Sequence, residues 1–101
     1  MYFELYPGLW ISDYKSYPVL KKFKINGVIN LTNKKVNKSI SFTLDTIPRI
    51  IYENSSKNII FLISNDKQLT HIVRYLMVYA KIDERTAKQY IHSKYFLWYS
   101  I

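Results

Sequence analysis

The sequence predicts a single α/β domain in which a small mixed sheet carries helices on its faces. Three features lead there. Ile59-Ile60-Phe61-Leu62-Ile63 is the most hydrophobic stretch of the chain, as suits a strand buried on both faces. Directly after it, Leu69, Ile72, Val73, Leu76, Met77 and Ala80 recur at helical spacing, which marks an amphipathic helix. A second β-branched run, Val28 to Thr32, is separated from the first by a helix-forming segment, the arrangement of a parallel crossover.

Taken in order, Phe3 to Tyr6 and Leu9 to Ser12 are short runs rich in aromatic and β-branched residues, divided by the turn-forming pair Pro7-Gly8, and they predict two strands or a hairpin. Asp13 or Ser16 caps a predicted helix through Tyr17, Pro18, Val19, Leu20 and Phe23, with Pro18 in the tolerated first turn. Asn26-Gly27 ends it, because both residues accept positive φ. The 28–32 strand is followed by a polar, basic loop from Asn33 to Ser39. Ile40 to Leu44 alternates apolar and polar residues as an edge strand does, and Asp45 is the expected N-cap of a helix holding Pro48, Ile50, Ile51 and Tyr52, closed by Asn54-Ser55-Ser56. The 59–63 strand is expected at the centre of the sheet. Ser64-Asn65-Asp66 supplies capping side chains for the helix after it, and Asp83 caps a last helix carrying Ala87, Tyr90 and Ile91. The aromatic tail, Tyr95 to Ile101, is expected to pack on the body. There is no internal repeat and no linker that would divide the chain.

At 101 residues the chain holds one domain, enough to bury a core without staples. Its apolar content of 49% and aromatic content of 17% exceed what a disordered segment carries. The absence of cysteine excludes a disulfide framework, a thiolate metal site and a thiol nucleophile. No stretch approaches the roughly 20 apolar residues that cross a bilayer, and the start of the chain lacks a secretion signal. The chain therefore reads as intracellular, cytoplasmic or nuclear, with no membrane partner. The sequons at Asn30, Asn37 and Asn54 carry no weight without secretion. A net charge of +8 favours an acidic partner, although the joint abundance of Lys, Asn, Ile and Tyr is also what an AT-rich coding sequence produces.

Several segments resemble the dual-specificity branch of the cysteine-dependent phosphatases. Pro7-Gly8-Leu9-Trp10-Ile11-Ser12-Asp13 is similar to the family's opening segment. Leu20 to Lys24 with Ile25-Asn26-Gly27-Val28-Ile29-Asn30-Leu31-Thr32 is similar to its following helix and strand. Ile59 to Ser64 and Tyr75-Leu76-Met77 stand where the family has its catalytic strand and the helix behind its phosphate loop, HCxxGxxRS. The 83–94 segment resembles the family's closing helix. The likeness spans nearly the whole chain in the right order, and it implies a phosphatase-like fold.

It also implies a lost activity. The family's thiolate attacks phosphorus while loop amides and an arginine six residues later hold the oxygens. Here Ser64 takes the cysteine position, a hydroxyl without an adjacent base in sequence, and Thr70 takes the arginine position. No glycine lies between Ser64 and Thr70, and the interval from Ser64 to Tyr75 is shorter than in the family. Such a loop is poorly suited to wrapping a phosphate. A helix N-terminus remains, so Asn65, Asp66 and Lys67 are expected to attract an anion weakly. Asp45 is the sole acidic residue in the interval where the family keeps its general acid, but helix capping accounts for it. Catalytic residues, cofactors and metals are accordingly expected to be none.

His71 reads as a helix side chain rather than a general base, and His92 has no companion at metal-ligand spacing. Lys21, Lys22 and Lys24, then Lys34, Lys35 and Lys38, are the densest positive clusters. With ten tyrosines in the chain they suit single-stranded nucleic acid. A solvated helix face, a basic loop and a tyrosine-rich core explain them more plainly. Tyr95, Phe96, Trp98 and Tyr99 either cover the body or bind a protein partner, a second copy of the chain included. The sequence reading is thus a catalytically inactive phosphatase-like protein acting as an interaction or structural module. Reduced loops and AT-biased composition suit origin in a large DNA virus, and hence a virion or infected cell. The alternative is a basic nucleic-acid-binding protein using residues 21–38.

Overall fold

The computed structural model describes residues 1–95, and the expected tail residues Phe96, Trp98 and Tyr99 lie outside them. Four strands, β1 (Tyr2–Tyr6), β2 (Leu9–Asp13), β3 (Gly27–Asn30) and β4 (Ile59–Ile63), and four helices, α1 (Tyr17–Leu20), α2 (Ile47–Glu53), α3 (Thr70–Tyr79) and α4 (Glu84–Lys94), make one small mixed α/β domain. The sheet runs β1-β2-β4-β3. β1 and β2 form an antiparallel hairpin with a register shift between Glu4 and Tyr6. β4 pairs in parallel on both sides, Phe61 lying between Ile11 of β2 and Ile29 of β3. The expected central strand is therefore central, and the crossover from the 28–32 region to β4 is parallel.

Strand periodicity sends alternate side chains of β4 to opposite faces, and both faces are covered. Ile59, Phe61 and Ile63, with Leu5, Leu9, Ile11 and Ile29, pack beneath residues of α2, α3 and α4. Ile60 and Leu62, with Val28, pack against Tyr17, Leu20 and Ile25 on the α1 side. All five β4 residues are buried, which is why this run shows no polar alternation. The Pro7-Gly8 turn matches its sequence. Gly8 sits at φ +98, and a Cβ there would lie 3.0 Å from the Lys57 carbonyl oxygen; that carbonyl and the left-handed backbone both demand glycine.

α4 is capped as its sequence indicates, Asp83 Oδ1 accepting the Thr86 N–H at 2.7 Å. The Tyr90 hydroxyl then pins α4 to β1 by donating to the Leu5 carbonyl at 3.0 Å.

Four local expectations are corrected. Ile40 to Leu44 is not a strand: the nearest backbone pairing is an isolated bridge between Ser39, just before it, and Val28, with Val28 N–H donating to Lys38 O and Ile40 N–H to Val28 O. Lys38, just before the bridge, sits at φ 61, and β3 forms the edge of the sheet. Gly27 does not adopt positive φ; the Ile40 side chain lies where a Cβ would be, with Cδ1 2.6 Å from that position, so a side chain there would have to displace Ile40. Asp45 does not cap. Thr43 and Thr46 form a capping box ahead of a 3₁₀ turn, Leu44–Thr46, that leads into α2, while Asp45 is exposed and faces Arg74 at 3.8 Å. Finally, α1 stops at Leu20 and Phe23 belongs to the turn after it, where its ring stacks on Trp10 at 5.1 Å.

Candidate functional site

The loop between β4 and α3 is built by the change from apolar to polar residues at Ser64. Asn65 sits in extended backbone and its Oδ1 accepts the Lys67 N–H at 3.0 Å. That closes a 3₁₀ turn, Asp66–Leu69, which runs into α3. The Ser64 N–H donates to Oε1 of Gln68 at 2.7 Å. The other end of the same side chain, Gln68 Nε2, donates to the Leu31 carbonyl at 3.3 Å. The Ser64 hydroxyl donates to that carbonyl as well, at 3.2 Å. Gln68 thus ties the end of β4 to the residue that follows β3, and it does so with the amide that opens the loop.

The resemblance assigned this place to phosphate chemistry. Ser64 is exposed and its hydroxyl faces a backbone carbonyl, which accepts a proton bond but cannot remove a proton. Thr70 is exposed at the first turn of α3. Of the weak anion site expected at Asn65, Asp66 and Lys67, the Lys67 amide is held by Asn65 and the Asn65 carbonyl accepts the Gln68 N–H at 3.2 Å. His71 is half-buried with its ring edge toward Phe61, centroids 6.5 Å apart. Burial first, and Arg74 second, lower its pKa. Among the described residues no group of three or more His, Cys, Asp or Glu gathers as metal ligands, and no helix is long and apolar enough to cross a membrane.

Gln68 was not singled out from the sequence, although Asn65-Asp66-Lys67-Gln68 has the spacing in which a cap residue is answered by Glu or Gln three positions on. Tyr95 is half-buried and stacks on Phe3 at 5.4 Å.

The two lysine clusters meet. Lys21 Nζ lies 5.1 Å from the centre of the Tyr17 ring and Lys34 Nζ 6.0 Å from that of Tyr14. Tyr14 and Tyr17 are themselves 6.3 Å apart. Lys38 reaches across from its loop to donate to the Ile25 carbonyl at 2.8 Å. Lys22, Lys24 and Lys35 are exposed beside them in sequence. No protein-family model and no curated protein matches the chain.

Proposed function

We propose that this chain is a phosphatase-like domain that has abandoned phosphoryl transfer and serves as an interaction or structural module, engaging a protein partner or a second copy of itself. One observation carries this reading: the Gln68 side chain occupies the Ser64 amide. In a phosphate cradle the amides of the loop converge on the ligand oxygens. Here the first of them is spent on a side chain of the same loop, and the next polar groups cap the 3₁₀ turn. The nucleophile position holds an alcohol bonded to a carbonyl, without a base to activate it.

The test is hydrolysis of p-nitrophenyl phosphate by the purified chain across neutral pH. The expected rate equals that of buffer, and Ser64→Ala leaves it unchanged. Phosphate release that Ser64→Ala abolishes would overturn the proposal.

A further inference from the structure

The charge of this protein is not spread over it. All 7 Asp and Glu lie outside residues 14–44, whereas that segment holds seven of the 15 Lys and Arg. Nearly the whole +8 excess therefore belongs to one stretch of chain. Its lysines all fall within residues 15–38, where Tyr17, Leu20, Ile25 and Val36 pack on the face of the sheet formed by Val28, Ile60 and Leu62, opposite α2, α3 and α4, while Leu31, Ile40 and Phe42 turn to the other face.

Aromatic rings are set among these charges and left open. Tyr14 is 43% exposed and Phe23 48% exposed. Phe23 is stacked on Trp10 with planes 16° apart, so its outer face is presented on a rigid support. Beside Phe23 lies a groove of about 180 Å³ lined also by Tyr17, Lys21, Ile25, Asn37 and Lys38. That is below the ~300–1,000 Å³ typical of small-molecule sites, yet it is an apolar slot open beside lysines from two separate segments.

We infer that this α1-side surface binds single-stranded nucleic acid. Phosphates pair with the ammonium groups of Lys21, Lys34, Lys38 and their exposed neighbours, releasing counterions. Unpaired bases stack on Phe23 and Tyr14, which any base can do. An acidic protein would satisfy the charge and leave the rings unused. A duplex would satisfy the phosphates and keep its bases out of reach. The inference does not depend on the phosphatase reading, because no atom of the Ser64 loop takes part.

The experiment is fluorescence anisotropy of a labelled oligothymidine of about a dozen nucleotides, titrated with the full chain at salt concentrations from about 50 to 200 mM. Expected is saturable binding whose log–log salt slope is roughly −3, corresponding to about four phosphate contacts at −0.7 each. Combined Lys21→Glu, Lys34→Glu and Lys38→Glu weakens binding about 100-fold and flattens the slope. Phe23→Ala weakens it about tenfold at unchanged slope. The same number of reversals elsewhere, Lys57→Glu, Lys81→Glu and Arg85→Glu, costs far less. Equal loss from both sets of reversals would overturn the inference. So would polyglutamate competing as well as oligothymidine, or no binding at the lowest salt.

Discussion

Phe61→Ala is expected to remove about 3–5 kcal/mol of stability, read as a fall in the urea midpoint at unchanged slope. Phe61 is the largest of the fully buried side chains among the described residues. It stands in the middle of β4, which has a parallel partner on each side, and faces the layer formed by α2, α3 and α4. Truncation loses the transfer free energy of the ring and leaves a cavity that strands fixed on either side cannot close. For a domain of this size that is a large part of the total. Leu62→Ala, on the thinner α1 side, tests the asymmetry: four-residue α1 can shift to fill the space, and the loss should be smaller. Equal losses would mean that the two faces are equally rigid.

Stability is expected to hold through neutral pH and to fall steeply above about pH 10, at up to about 1.4 kcal/mol per pH unit for each tyrosine concerned. Burial first raises the pKa of Tyr6. The hydrogen bond to Tyr75 and the charges that Tyr75 and Tyr90 would carry raise it further. Tyr6 donates its hydroxyl proton to the Tyr75 oxygen at 2.9 Å. Burial, then Tyr14, also raises Tyr17. The sign follows from linkage: a group that holds its proton more tightly when folded stabilises the fold fully below its unfolded pKa. That contribution is lost as pH rises, because the unfolded chain ionises first. Tyr6→Phe should reduce the alkaline slope while costing about 1 kcal/mol at neutral pH through the lost hydrogen bond. An alkaline limb identical to that of the unmodified chain would show that this pair does not set it. Melting followed by circular dichroism from pH 7 upward makes the comparison.

Much of the fold is legible in the sequence where one local signal acts alone. β4 is recognisable because five consecutive apolar residues have no other use. α3 shows because its apolar stripe keeps helical spacing, and α4 because Asp83 stands ahead of it as a cap. The signal fails where two causes produce one pattern. Ile40 and Phe42 alternate with polar residues as a strand would, but they are half-buried because an irregular segment dips two side chains onto the core. Whether the segment pairs with β3 beyond the single Ser39 bridge is not carried by sequence periodicity. Phe23 continues the helical spacing of α1, yet the Trp10 ring, a partner thirteen positions away, draws it into a turn.

The candidate surfaces divide in the same way. Both lysine clusters are visible as runs, and nothing in either run says that they face each other. Their meeting follows from β3 lying at the sheet edge, which returns residues 33–38 over the turn after α1. That a serine stands at 64 and a threonine at 70 is plain from the sequence. The internal bond that occupies the loop is not, since it depends on Gln68 reaching both Ser64 and Leu31, and Leu31 is brought there only by parallel pairing of β3 with β4.

The proposed loss of phosphate binding depends on the Ser64 amide being already satisfied by Gln68. Its direct test is the ¹H–¹⁵N correlation spectrum of the labelled chain during titration with inorganic phosphate. The Ser64, Lys67 and Gln68 amide resonances should remain in place, with at most small shifts among the exposed lysines of the α1 side. A saturable shift of the Ser64 and Lys67 amides, with Gln68 side-chain resonances moving in step, would show a loop that opens to cradle phosphate and would contradict it.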